Sequence, residues 1–167
     1  KAQTEYRGRL APTPSGFLHV GHIRTFSTAW ERARQNSGQL VFRMDDLDPS
    51  RCATEFGNAC LEDTKGMGLD WDEGPDVGGA FGPYEQSKRS DLYAKTLKIL
   101  YEQGFIYPCN KTRKEIFEAG ILASSGNEYL FPENFRTEVT KNTMDHFPWK
   151  TNWRFRTHWG EKVKFMD

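Results

Sequence analysis

The chain has 167 residues, with 23 basic and 23 acidic side chains and a formal charge of zero. That length suits one domain, or one and part of another, and the balanced charge excludes a global electrostatic pull toward nucleic acid, so any RNA contact must come from a local patch. No apolar run reaches membrane-spanning length and nothing reads as a signal peptide. The odd set Cys52, Cys60 and Cys109 favours a reducing cytoplasm over a disulfide scaffold, with Cys52 and Cys60 expected as small buried apolar side chains in or beside one helix.

In chain order, Arg7 to Ala11 reads as a first strand feeding the Pro-rich loop Pro12-Thr-Pro-Ser-Gly16. A helix is expected from Gly21 to about Ser37, ended by Ser37-Gly38, with Ile23, Phe26, Trp30 and Ala33 on its apolar face. Gln39 to Met44 is a short strand whose carboxyl end carries Asp45, Asp46 and Asp48. Ligands of open parallel sheets gather at strand carboxyl ends, so the first loop and this acidic turn are expected to line one crevice. A second helix spans Ala53 to Gly66, with Phe56, Ala59, Cys60 and Met67 inward. Asp70 to Tyr84 is acidic, Gly-rich and reads as loop.

A third helix follows from Lys88 to Gln103, carrying Leu92, Leu97, Ile99 and Leu100. Thr112-Arg-Lys-Glu115 is a capping box that starts a short fourth helix. Ser124 to Asn142 reads as loop. Trp153 to Thr157 and Lys162 to Met166 alternate about His158-Trp-Gly-Glu161, a hairpin signal. No internal repeat or low-complexity tract is present.

The stretch Arg9-Leu-Ala-Pro-Thr-Pro-Ser-Gly-Phe-Leu-His-Val-Gly-His22 carries the chemistry. A loop of this kind opening onto a helix can hold a triphosphate. Gly16 and Gly21 let backbone approach a ligand closely, helix-start amides favour anions, and His19 and His22 add side-chain donors. Pro12 to His22 resembles the HIGH signature of class I aminoacyl-tRNA synthetases, in the form used by the glutamyl branch. Three later motifs resemble the same branch: Phe42-Arg-Met-Asp-Asp-Leu-Asp-Pro-Ser-Arg51, Gly82-Pro-Tyr-Glu-Gln-Ser-Lys-Arg89 with Tyr93, and Ile106-Tyr-Pro-Cys109. The Ala29-Trp30 and Ala33-Arg34 pairs and the Asp46-Leu-Asp-Pro49 turn are most similar to glutamyl-queuosine tRNA(Asp) synthetases.

The resemblance implies an α/β fold: the first half of a Rossmann-like HIGH-type nucleotide-binding domain at 1–107, and a partial inserted α+β acceptor-stem segment at 108–167, incomplete at its C-terminus. It implies ATP-dependent activation of glutamate, or a close acidic analogue, and transfer to tRNA, at the acceptor end or at the queuosine of the tRNA(Asp) anticodon stem-loop. It places ATP on Pro12, Ser15, Gly16, His19, Gly21 and His22, with the two histidines as catalytic electrostatic donors. The amino acid falls to Arg9, Ala11, Thr13 and Asp45, and Mg²⁺ comes with ATP. No membrane partner is implied. Alternatives are an ordinary glutamyl-tRNA synthetase fragment, a non-catalytic synthetase-like binding or regulatory module, and a small-molecule nucleotidyltransferase of the same superfamily. Pro-Tyr-x-Gln-Ser at 83–87 and Asp48-Pro49 argue against the last.

Further features bear on what the chain can do. Asp45 stands where the family places Glu for the substrate ammonium, which retracts the charge by one methylene. Asp46 and Asp48 read as turn-capping carboxylates. Relatives often carry a zinc site that starts Cys-x-Cys, whereas Cys109-Asn-Lys111 keeps one thiol; one thiol makes no tetrahedral site, so no zinc is expected and Cys109 reads as structural. Lys150, Arg154, Arg156, Lys162 and Lys164 interleave with Trp149, Trp153, Phe155, Trp159 and Phe165, a pattern shared by RNA-binding surfaces and half-buried hairpins. The family's second sheet half and its lysine loop have no counterpart in these residues, so 1–167 alone is expected to charge tRNA little and to self-associate or unfold.

Overall fold

A computed structural model of the chain describes residues 6–122, 129–136 and 151–157. The chain divides into two compact units, Lys1–Asp91 and Leu92–Asp167. No helix among the described residues is long and apolar enough to cross a membrane.

The first unit is an α/β layer. Strand β1 (Arg7–Leu10) pairs in parallel with β2 (Gln39–Phe42), Arg7 opposite Gln39 and Leu10 opposite Phe42, and helix α1 (Val20–Gln35) connects them. A parallel pair needs such a crossover. Side chains alternate across a strand, so Leu10, Leu40 and Phe42 fall on one face, where Phe26 and Ala33 of α1 join them in the core. Helix α2 (Thr54–Gly66) adds Cys60 to that core, with Met67 beyond its end packed against it. Of the residues expected on the inner face of α1, Ile23 is exposed instead, and Trp30 is half-buried with its indole N–H donated to Asp70 at 2.6 Å.

The stretch expected as a plain loop after α2 does more. Leu69, Trp71 and Glu73 are buried while Asp70 and Asp72 are exposed, a period-two pattern. The Phe42 amide donates to Glu73 O at 2.7 Å, and the Met44 amide to Tyr84 O at 2.9 Å. Both ends of the stretch thus flank β2, and only the middle runs free as a turn closed by Gly74 and Gly78. β2 itself stops at Phe42, and Met44 pairs singly with Glu85.

A 3₁₀ turn (Gln86–Arg89) leads into α3 (Ser90–Glu102). Leu92 and Ile99, expected inward, are exposed, while Tyr101 is buried. In the second unit β3 (Ile106–Pro108) pairs antiparallel with Trp153–Phe155, the last strand, with Ile106 opposite Phe155. The partner of that last strand is therefore β3; the other arm of the hairpin expected at 162–166 lies outside the described residues. Between them lie α4 (Arg113–Ala119) and the strands β4 (Ile121–Leu122) and β5 (Tyr129–Leu130), which pair antiparallel, so Trp153–Phe155 is β6, the last strand among the described residues. The Thr112–Glu115 capping box forms as the sequence dictates: Glu115 N–H donates to the Thr112 hydroxyl and Thr112 N–H to the Glu115 carboxylate.

The end of α1 inverts the usual division of labour. Glycine normally supplies the left-handed residue after a helix, yet here Ser37 has φ 49° and Gly38 does not. Gly38 is required for room. A Cβ there would press on the Tyr6 carbonyl oxygen and lie 2.8 Å from Tyr6 Cβ, against the strand that Gly38 must enter. Gly38→Ala should therefore lower stability by about 1–3 kcal/mol, the scale of overpacking, whereas Ser37→Gly, which relieves a left-handed non-glycine residue, should raise or preserve the thermal unfolding midpoint. An unchanged midpoint for Gly38→Ala would contradict this packing.

Candidate functional site

The loop after β1 keeps the strand's alternation. Leu10, Pro12 and Pro14 are buried; Arg9, Thr13 and Ser15 are exposed and Ala11 is half-buried. Three backbone hydrogen bonds at every second residue hold it: Arg43 N–H to Leu10 O at 2.8 Å, Asp45 N–H to Pro12 O at 2.9 Å and Ala53 N–H to Pro14 O at 3.0 Å. The loop and the acidic turn are thus one extended edge, as expected of a shared crevice. Arg9, Ala11, Thr13 and Ser15 form its outward row. Gly16 has open space where a Cβ would stand.

His19 and His22 meet at the start of α1. His19 is the N-cap: its Nδ1 accepts from Gly21 N–H at 3.1 Å, and His22 Nδ1 accepts from His19 N–H at 3.3 Å. Two imidazoles therefore build the reciprocal cap usually made by a hydroxyl and a carboxylate. Their ring centres are 4.0 Å apart. A neutral imidazole has one donor and one acceptor nitrogen. With Nδ1 accepting on both, the protons sit on Nε2, and each ring keeps one free N–H to offer a ligand. The exposed His19 ring folds over Gly21, 2.9 Å from where a Cβ would be, and would have to shift to admit one.

The aspartates divide by partner. Asp46 accepts both the N–H and the hydroxyl of Ser87, at 2.9 and 2.6 Å, and so caps the 3₁₀ turn. Asp48 accepts the hydroxyl and N–H of Ser50, which hold its carboxyl below the ordinary range. Asp45 is held bidentately by Arg43, with Nε at 2.5 Å and Nη2 at 2.7 Å. The sequence reading missed Arg43. The signal was present: residues two apart on a strand share a face, and Arg43 stands two before Asp45.

Arg9 lines a pocket of ≈ 460 Å³ with Arg7, Arg43, Tyr84 and Arg89. Two of its lining residues, Arg7 and Tyr84, are tied to Glu73. The Tyr84 hydroxyl donates to Glu73, and Arg7 pairs with Glu73 at 2.7 Å. The Tyr84 bond, then Arg7, hold the Glu73 carboxyl below its ordinary range, while burial and then Glu73 push the Tyr84 phenol up. A second pocket of ≈ 420 Å³ lies between Pro14, α2 and Ser87. No described pocket gathers Ala11, Thr13, Ser15 and the two histidines; these form an open surface row.

The zinc test is made in the second unit. Cys109 is buried, its N–H donated to Asn152 O at 2.8 Å. Lys111 sits 4.8 Å over the Phe135 ring and 3.1 Å from Glu115. The Thr112 backbone and then Lys111 hold the Glu115 carboxyl at about 2. Lys111 stands two residues after Cys109, and no group of three or more His, Cys, Asp or Glu side chains that could hold a metal exists among the described residues. Cys109 and Lys111 by themselves make no zinc-ligating set.

The sequence model of the class I tRNA synthetases (E and Q), catalytic domain, matches residues 5–127. A glutamyl-Q tRNA(Asp) synthetase of Nitratidesulfovibrio vulgaris is 49% identical over 110 residues, 66% of this chain and 34% of that protein. A glutamate–tRNA ligase of Symbiobacterium thermophilum is 37% identical over 164 residues, 96% of this chain and 34% of that protein. The crystal structure of the glutamate–tRNA synthetase of Elizabethkingia anophelis superposes with a TM-score of 0.63 at 31% identity, over 68% of this chain and 23% of that one. The chain thus spans about a third of the length of these curated relatives.

Two measurements check the site. Long-range ¹H–¹⁵N correlation should show both His19 and His22 as Nε2–H tautomers near neutral pH; an Nδ1–H tautomer on either ring would break the cap geometry. Elemental analysis of purified protein should find no stoichiometric zinc; about one ion per chain, lost on Cys109→Ala, would restore a metal site.

Proposed function

The chain belongs to the class I tRNA synthetases of the E and Q type, and from that premise we propose that the protein activates glutamate, or a close acidic analogue, with ATP and transfers it to tRNA in the cytoplasm. The observation that carries this is the pairing of two capping histidines, each with a free Nε2–H, with an outward row of Arg9, Ala11, Thr13 and Ser15 on the adjoining loop.

The chemistry needs no covalent enzyme intermediate. A substrate carboxylate oxygen attacks the α-phosphorus of ATP in line, the new P–O bond forms, and the bond to pyrophosphate breaks. The protein must hold two mutually repelling anions and stabilise charge as it builds on phosphoryl oxygens. His19 and His22 serve the second task as neutral donors. Pro12, Ser15, Gly16 and Gly21 shape the phosphate side of the loop. Arg9 offers a carboxylate a two-pronged guanidinium, with Ala11 and Thr13 beside it. Mg²⁺ arrives on the triphosphate, whose oxygens and waters supply most of its ligands.

For the acceptor, we favour the queuosine of tRNA(Asp). The Ala29-Trp30 and Ala33-Arg34 helix and the Asp46-Leu-Asp-Pro49 turn support it, as does the likeness to proteins of that name. Ordinary tRNA charging is the second reading, supported by likeness to glutamate–tRNA ligases over nearly the whole chain. Charging queuosine-containing and queuosine-free tRNA(Asp) against tRNA(Glu) separates the two.

The test of activation is glutamate-dependent pyrophosphate exchange by the full-length protein. His19→Ala and His22→Ala should each lower it by about 10²-fold or more, the scale of a lost charge-stabilising donor. His19→Asn keeps an N-cap acceptor and should lose as much, which assigns the loss to the imidazole and not to the helix. Losses under about threefold for both alanine variants would remove the assignment.

A further inference from the structure

In the second unit a cavity of ≈ 300 Å³ opens beside the β3–β6 pair, and no carboxylate is among the described residues that line it. Tyr107 on β3 stands opposite Arg154 on β6, and Arg156 follows two residues on, so the three share one face. Tyr107 lines the cavity and is only 2% exposed, yet its hydroxyl makes no hydrogen bond with any described residue. A hydroxyl held away from bulk water without an acceptor is destabilising. Burial, the first influence on the phenol, pushes it up, so the hydroxyl keeps its proton at neutral pH and stands as a donor. The charge around that donor is positive. Arg154 lays its guanidinium 4.3 Å from the centre of the Phe131 ring, and Arg156 lies 5.1 Å from the centre of the Tyr107 ring. Arg136 lines the cavity too and donates Nη1 to Thr157 O at 3.0 Å. Arg154 has no carboxylate within ion-pair distance among the described residues. A guanidinium stacked by its face keeps its N–H edge for an acceptor.

We propose that Tyr107 and Arg154 form an oxyanion site that takes a phosphate group, either free phosphate or a phosphate carried on RNA. A phenolic donor, a guanidinium edge and a lining without acidic groups select an anion rich in oxygen acceptors. Phosphate suits this set better than a carboxylate does. Its oxygens point in tetrahedral directions and meet a hydroxyl and a guanidinium edge together, whereas a planar carboxylate is matched by one guanidinium fork alone. Arg136 and Arg156 add to the positive field without being required as partners. The site shares no residue with those assigned to ATP and the amino acid, and it does not rest on the activation reading, so either can fail alone.

The test uses the full-length protein and two probes, inorganic phosphate read by isothermal titration calorimetry and a short RNA stem-loop read by fluorescence anisotropy. Tyr107→Phe removes only the hydroxyl. In phosphate-free buffer it should leave the thermal unfolding midpoint unchanged or raised, because the hydroxyl has no partner to lose. It should weaken binding of the phosphate-bearing ligand about tenfold, the scale of one hydrogen bond to a charged group. Arg154→Met should weaken it as much or more, and Arg154→Lys should recover part of that loss. His19→Asn should leave the Tyr107-dependent part of the binding unchanged, which separates this site from phosphate taken by the loop after β1. The probe whose affinity falls names the source. If it is RNA, Arg154→Met should also reduce the slope of log affinity against log salt by about one, while Tyr107→Phe, which removes no charge, leaves the slope as it was. A midpoint lowered by Tyr107→Phe in phosphate-free buffer would overturn the proposal, since the hydroxyl would then have a partner within the protein. So would losses under about twofold for both probes in Tyr107→Phe, well short of one charge-assisted bond.

Discussion

The first unit depends on three carbonyls, those of Leu10, Pro12 and Pro14, each taken by an amide from the segment that follows β2. Proline brings no N–H, so the loop cannot donate at these positions and can only be gripped through its oxygens. It is gripped at every second residue. That spacing carries the strand's two-residue period past the end of regular structure, keeps Pro12 and Pro14 buried, and turns Arg9, Ala11, Thr13 and Ser15 outward as one row. The row is as straight as a strand without being paired on its outer side. A flexible glycine loop could reach the same atoms but would have to be ordered by its ligand, at about 1–2 kcal/mol per residue fixed.

The same grip explains which parts of the architecture could be read in advance. The β1–α1–β2 order, the helix starts and the Thr112 cap follow from local rules of period and capping, and they lie where the residues say. What failed was non-local. Leu69, Trp71 and Glu73 alternate clearly once seen, but Asp70, Asp72 and the nearby glycines speak for a loop, and only the open edge of β2 makes the alternation count. Trp153–Phe155 is a strand as expected and pairs with β3, far away in sequence, which no turn signal could announce; the other arm of the expected hairpin lies outside the described residues. Ser37-Gly38 marks the helix end correctly while the two residues exchange roles, because the close approach of Tyr6 outweighs the cost of a left-handed serine.

At the site the residue list was legible and the partnerships were not. His19 and His22 stand together because each completes the other's helix cap, which the motif does not state. Asp45 differs from the family by one methylene, and sequence alone suggests only a shorter reach toward a substrate. The fold gives that carboxylate another destination, Arg43, at bonding distance through both oxygens. A bidentate ion pair of this kind is among the stronger polar contacts available.

The described part of the second unit is held by many small contacts and by none that stands out. A structural zinc contributes on the order of 10 kcal/mol to the segment that binds it. The contacts standing near Cys109 are individually small: Lys111 over Phe135, Arg154 over Phe131 at 4.3 Å, Arg156 over Tyr107 at 5.1 Å, and ring contacts of Phe131 with Tyr107 and with Phe135. Each is worth about 1 kcal/mol. No one of them matches a metal site in strength, and they are spread over residues that also make the sheet: Tyr107 lies on β3 and Arg154 on β6, directly opposite in register. Along that strand Arg154 lays its guanidinium 4.3 Å from the centre of the Phe131 ring, an aromatic face of its own chain.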